Sequence, residues 1–279
     1  MTVGNKLGLE IIPVVHLGRS GSTYLEQCLT SAFRLISLSE VFHRDVSMPF
    51  LPDGVAWQEL FGNGIECFLL HNVLRGMEQH YWTAQSQGLN PGVSSHLLLE
   101  YKPTLVGHAF HAIHSQVFLK LKELGVGKVI VLERRSVLRR ILSGMSAERT
   151  QIYHSTQIES GMDYRFERID FDFNKVVDSG INPGYAFALS HVQNINDLYF
   201  AKLRLELQAT GFEVLDVIYE DDVCGPIDTL IDRIGLFIGA QAVQKPSTDL
   251  RKLNPNDLDQ MVINHAELLA YCIENNIRI

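Results

Sequence analysis

Glu10-Ile-Ile-Pro-Val-Val-His-Leu-Gly-Arg-Ser-Gly-Ser-Thr-Tyr-Leu25 is the stretch whose reading decides the fold. Ile11, Ile12, Val14, Val15 and Leu17 form a nearly continuous apolar run, the pattern of a strand covered on both faces. Gly18 to Thr23 then supplies small residues and hydroxyls. From Tyr24 the spacing turns helical, with Leu25, Cys28, Leu29, Ala32 and Phe33 on one face. A buried strand, a glycine-bearing turn and a helix make the opening unit of an α/β sheet protein.

Such a turn aims several backbone N–H groups at one spot, at the positive end of a helix dipole, which suits an anion. Gly18 and Gly21 allow close backbone approach, Ser20, Ser22 and Thr23 add donors, and Arg19 adds a fixed charge suited to phosphate or sulfate. No Gly-Lys-Ser/Thr ends the loop, so this is a phosphate loop whose cation has moved forward to Arg19. The plain alternative is an ordinary strand-to-helix turn capped by serine and threonine.

Working outward, further strands are expected near residues 96–101, 128–132 and 213–219, alternating with helices. That order implies a parallel central sheet, right-handed crossovers and helices on both faces, in one domain spanning 1–279. Tyr185 to Gln208 reads as a long amphipathic helix, Glu220-Asp221-Asp222 as the cap of the next helix, and Leu258 to Asn275 as a closing helix. Ala147 to Asn182 has no sustained period but carries Tyr153, Tyr164, Phe166, Phe171 and Phe173, so residues 147–182 are expected to form a lid or acceptor-binding insertion.

Three more strand ends carry polar groups. The 128–132 strand runs into Glu133-Arg134-Arg135, and Ser143 follows Arg135 by about two helical turns, so a second anion can be clamped between them. The alternative is a solvated basic helix face, since Arg139 and Arg140 follow. Lys102 closes the 96–101 strand, placed to face a phosphate on the first loop, and Glu40 lies beside His43 after the first helix. A solvated lysine and a solvated loop carboxylate are the plain readings of those two. His108, His111 and His114 invite a metal site, but a helix rotates the outer two far apart and no carboxylate matches their spacing, so no metal is expected.

A net charge of −8 argues against a nucleic-acid binder with a broad basic surface. Cys28, Cys67, Cys224 and Cys272 contain no CxxC pair, and the first residues lack the apolar core of a leader, so a reducing cytoplasm is expected. No run of about 18 apolar residues suggests a membrane span.

Two anion clamps on one sheet resemble the family of sulfotransferases that use 3′-phosphoadenosine 5′-phosphosulfate (PAPS). The segment Gly18-Arg-Ser-Gly-Ser-Thr-Tyr-Leu25 looks like the bacterial and carbohydrate sulfotransferase form of that family's first loop, with arginine where cytosolic enzymes carry lysine. Tyr219-Glu-Asp-Asp-Val-Cys-Gly-Pro226 and the helix after it are similar to the family's C-terminal strand-helix signature. The resemblance implies the P-loop type of α/β fold. It implies that Gly18, Arg19, Ser20, Gly21, Ser22 and Thr23 hold the 5′-phosphosulfate, with Tyr24 near the adenine. It implies that Arg135 and Ser143 hold the 3′-phosphate, so that Arg19 and Arg135 grip opposite ends of one nucleotide.

The family also bears on the catalytic base. Cytosolic members place a histidine two residues after the strand-end lysine, where this chain has Thr104 after Lys102. Other members use a glutamate after the first helix, which Ser39-Glu40-Val41-Phe42 resembles; His43 and His108 are the rivals to Glu40. The implied activity is sulfuryl transfer from PAPS to a hydroxyl of a small or carbohydrate-like acceptor, with Arg19 and Lys102 stabilising charge on the leaving phosphate and no metal. No nucleic-acid or membrane partner is expected, and a homodimer is the candidate assembly. The rival functions are a P-loop small-molecule kinase and an inactive nucleotide-binding partner protein.

Overall fold

Strand β1 (Glu10–His16) is buried along all but its first residue because neither of its faces meets water. This is the fold as a computed structural model shows it, describing residues 10–37, 96–102, 117–119, 121–153, 157–158, 166–178, 185–250 and 253–279. After β1 come α1 (Ser22–Phe33), β2 (Ile36–Ser37), β3 (His96–Tyr101), β4 (Lys128–Glu133) and α2 (Val137–Thr150). Then follow β5 (Val176–Val177), β6 (Ala186–Phe187), α3 (Leu189–Ala209), β7 (Glu213–Ile218), a π-helical turn (Tyr219–Val223), α4 (Ile227–Ile238), α5 (Leu258–Met261) and α6 (His265–Glu274).

Five of the strands form one sheet in the order β2-β3-β1-β4-β7, every pairing parallel. β1 pairs with β3 along most of its length, from Glu10↔His96 to Val15↔Tyr101. Its pairing with β4 begins only at Val14, beyond Pro13, which has no N–H to donate. The chain leaves β1 for β2 on one side of the sheet and leaves β4 for β7 on the other. Neighbouring strands whose connections diverge open a crevice beyond their carboxyl ends, the usual place for a ligand in such sheets.

Helices cover both faces, as the alternating order of the sequence led us to expect. Ile12, Val14, Leu98 and Ile130 meet α1 and α4 on one side. Val15, Leu97, Leu99 and Val131 meet α3 and Val117, Phe118, Leu121 and Leu124 on the other. A third core lies beside the sheet, where α2 packs on Ile169, Phe171 and Val176 and on α5 and α6.

Three local expectations change. Helix α2 runs through Thr150, so the first residues of the 147–182 stretch continue a helix, and Phe171 further along it is a core residue. The closing helix is two pieces: Ile169 pairs with Val262 between α5 and α6, and the Asn264 side chain bonds both the N–H and the carbonyl of Phe171. The acidic run does not cap α4. It forms the π-helical turn, and Glu220 caps α2 instead, accepting from the N–H groups of Arg135 and Ser136 at 3.0 Å each.

Candidate functional site

The turn after β1 is held in an uncommon shape. Arg19 (φ 62°) and Gly21 (φ 83°) both adopt the left-handed conformation, which a non-glycine residue enters only at a cost. Hydrogen bonds hold it there. The Leu17 carbonyl accepts from Ser20 Oγ at 2.6 Å and from His16 Nδ1 at 3.1 Å, and the Arg19 carbonyl accepts from Arg134 Nη1 at 2.9 Å. Gly21 is required for a second reason: a Cβ there would stand 2.4 Å from the Tyr219 ring. Ser22 begins α1 with its side chain buried, Gly18, Thr23 and Tyr24 are half-buried, and burial beside Cys28 pushes the Tyr24 hydroxyl pKa up.

The Arg19 side chain crosses to the neighbouring helix. Its Nε donates to Ser143 Oγ at 3.2 Å and its Nη1 donates to the Tyr153 carbonyl at 3.1 Å. Ser143 is therefore engaged by the first arginine of the sequence reading, not by Arg135. Arg135 lies at the carboxyl end of β4, next to the end of β1, but its Nη1 pairs with Asp221 at 3.1 Å. It also lines an open cavity of about 660 Å³ together with Glu133, Asp197, Arg204, Asp216 and Arg278, which contains no residue of the 18–24 loop. The other arginines there are spent: Arg204 bridges Glu133 and Asp216, and Arg278 pairs with Asp197.

Beneath the loop lies an acid–base pair that the sequence reading passed over. His16 and Glu100 are both buried, with Nε2 and Oε2 2.9 Å apart. Because His16 Nδ1 donates to a carbonyl, one proton must lie between Nε2 and Oε2, on whichever atom, for the second contact to be a hydrogen bond. Burial pushes the Glu100 pKa up, but His16 outweighs it, with help from Glu26 and Lys102, and holds it down at about 2. Lys102 thus sits at the end of β3 within electrostatic reach of this pair. The signal was present in the sequence as two polar residues interrupting otherwise apolar strands.

Glu40, His43 and His108 lie outside the described residues. Among the described residues, no group of three His, Cys, Asp or Glu side chains is placed to hold a metal ion, and no helix is long and apolar enough to cross a membrane.

No family model and no curated protein matches the chain. Among solved structures, the crystal structure of a sulfotransferase from Alicyclobacillus acidocaldarius is similar at 13% identity and a TM-score of 0.42, over 95% of this chain and 91% of that one.

Proposed function

We propose that this chain is a sulfotransferase that moves the sulfuryl group of PAPS to a hydroxyl of a small or carbohydrate-like acceptor. The observation that carries the reading is the meeting of two sequence motifs beyond the carboxyl ends of two neighbouring strands. Arg19, from the loop after β1, reaches Ser143 on the helix after β4, and the two strands are neighbours with diverging connections. The loop's left-handed turn at the start of α1 and the Arg19 guanidinium suit a phosphosulfate.

In this mechanism the acceptor oxygen attacks sulfur in line, a new O–S bond forms, and the bond from sulfur to the bridging phosphate oxygen breaks. 3′-Phosphoadenosine 5′-phosphate leaves. Arg19 and the loop amides stabilise the charge that grows on the leaving phosphate, and Lys102 assists from the end of β3. Glu40 takes the acceptor's proton.

Arg135 serves the 3′-phosphate by giving up Asp221. Both partners of that pair are largely exposed, with side chains 46% and 64% accessible, and such pairs contribute only about 0–1 kcal/mol. A doubly charged phosphate outcompetes it easily.

Two measurements test the proposal. Calorimetry should show binding of adenosine 3′,5′-bisphosphate, and radiolabelled PAPS should label at least one member of a panel of hydroxylated metabolites. Binding of ATP with magnesium and not of the bisphosphate would favour the kinase instead.

A further inference from the structure

Arg134 and Arg135 are adjacent at the end of β4, yet their side chains part. Arg135 is half exposed, whereas Arg134 turns inward and is 8% exposed. The Arg134 guanidinium lies over the Tyr219 ring, 4.6 Å from its centre, and Nη1 donates to the Arg19 carbonyl. That ring is the one that leaves no room for a side chain at Gly21. One buried guanidinium therefore takes part in two of the contacts that shape the loop, at the Arg19 carbonyl and at the Tyr219 ring.

Among the described residues its charge has no counter-charge at hand. Buried Nε has no hydrogen-bond partner, and among the described residues no carboxylate lies within ion-pair distance of Arg134. Glu220 attracts it from further away but has both oxygens on the Arg135 and Ser136 amides. Arg140 repels it, although Asp178 neutralises Arg140 directly. A guanidinium does not shed its proton in a protein, so the charge remains. A buried, unpaired charge is costly to the free protein, and the face of one aromatic ring offsets only part of that cost. The arrangement makes physical sense beside a site that receives an anion.

We propose that Arg134 is the third cation of the anion site: it locks the Arg19 carbonyl in the left-handed turn and holds a charge that a bound phosphate or sulfate group neutralises. It is a positioning residue, acting on the ligand through Arg19 and through its field. The proposal deepens the reading of the loop as a phosphosulfate site and rests on that reading only for the anion, not for the nucleoside.

The test compares the full chain with Arg134→Met and Arg134→Gln, using inorganic pyrophosphate and adenosine 3′,5′-bisphosphate as probes in calorimetry and thermal melts. The ligand-free methionine variant should melt at or above the parent temperature, because a stranded charge has gone, while its affinity for both probes falls at least tenfold. The ionic-strength dependence of binding should also become shallower. A variant that melts lower but binds both probes like the parent gives Arg134 a structural role only and overturns the proposal. If the methionine variant does not fold, Arg134→Gln decides: it retains a donor but no charge, so binding tenfold weaker supports the proposal and unchanged binding overturns it. If the parent binds pyrophosphate but not the bisphosphate, the sulfotransferase reading fails and Arg134 is judged on pyrophosphate alone. If the parent binds neither, both fall.

Discussion

Arg19 Nε and Ser143 Oγ, 124 residues apart in the chain, lie 3.2 Å apart in the fold. The contact ties the loop after β1 to the second turn of α2, so the two motifs that suggested an anion site form one piece of structure. It also separates Ser143 from Arg135, whose guanidinium rests on Asp221.

That separation makes the role of Arg135 open to direct measurement. Arg135→Ala should weaken adenosine 3′,5′-bisphosphate binding by about ten- to a hundredfold, the range expected for loss of charged hydrogen bonds. Binding of AMP, which lacks the 3′-phosphate, should change little. Equal losses for both ligands in calorimetry would remove Arg135 from the 3′-phosphate.

For the proton acceptor, Glu40→Gln should lower turnover by about a hundredfold or more while bisphosphate affinity stays within about twofold, as removal of a general base implies. Turnover close to the parent's, with PAPS and a responsive acceptor, would move the base to His43 or His108.

Gly21→Ala should destabilise the protein by about 2–4 kcal/mol. The added methyl group meets the Tyr219 ring at 2.4 and 2.7 Å, and φ is 83°. Left-handed strain and overpacking each cost roughly 1–3 kcal/mol. The ring cannot retreat freely because Arg134 lies over its face. Chemical denaturation measures the loss, and a variant as stable as the parent would mean that the turn is not fixed in this shape.

The His16–Glu100 pair predicts a pH dependence of stability. The Glu100 pKa is depressed from an ordinary 4.5 to about 2 in the folded chain. Its stabilisation is therefore present above about pH 4.5 and is lost as pH falls towards 2. Urea melts at stepped pH should show that fall in the parent. Glu100→Gln should flatten it and lower stability at pH 6. A slope unchanged by the substitution would assign the acid lability to other carboxylates.

Asp178→Ala should cost about 3–5 kcal/mol, because it strands Arg140, which is 3% exposed and paired with Asp178 through both terminal nitrogens. Melting temperature reports it. A change below about 1 kcal/mol would mean that Asn196, the other acceptor for Arg140, suffices alone.

The strands β1, β3 and β4 were legible because a parallel strand buried on both faces must be apolar along its length, and β7, at the sheet edge, as an apolar run broken by Glu213 and Asp216. β2 spans only Ile36 and Ser37, too short to carry any period. The break between α5 and α6 is set by Ile169 and Phe171, about ninety residues away, which no local pattern registers. Glu220 shows the same limit in the site: its sequence position suggests a cap for the helix that follows it, but the sheet places β7 beside β4 and so delivers the carboxylate to α2. In Arg134-Arg135 the pattern showed two cations and not which one faces inward, since both lie past the end of β4, where strand alternation no longer applies.

Glu220 has a chemical consequence for any phosphate near Arg135. By filling the amide pair that opens α2, it closes that helix end to incoming anions. Discrimination at this corner then depends on a flat, forked side chain meeting two oxygens at once. A point charge on a flexible stem does that badly, so exchanging Arg135 for lysine would not be a conservative change.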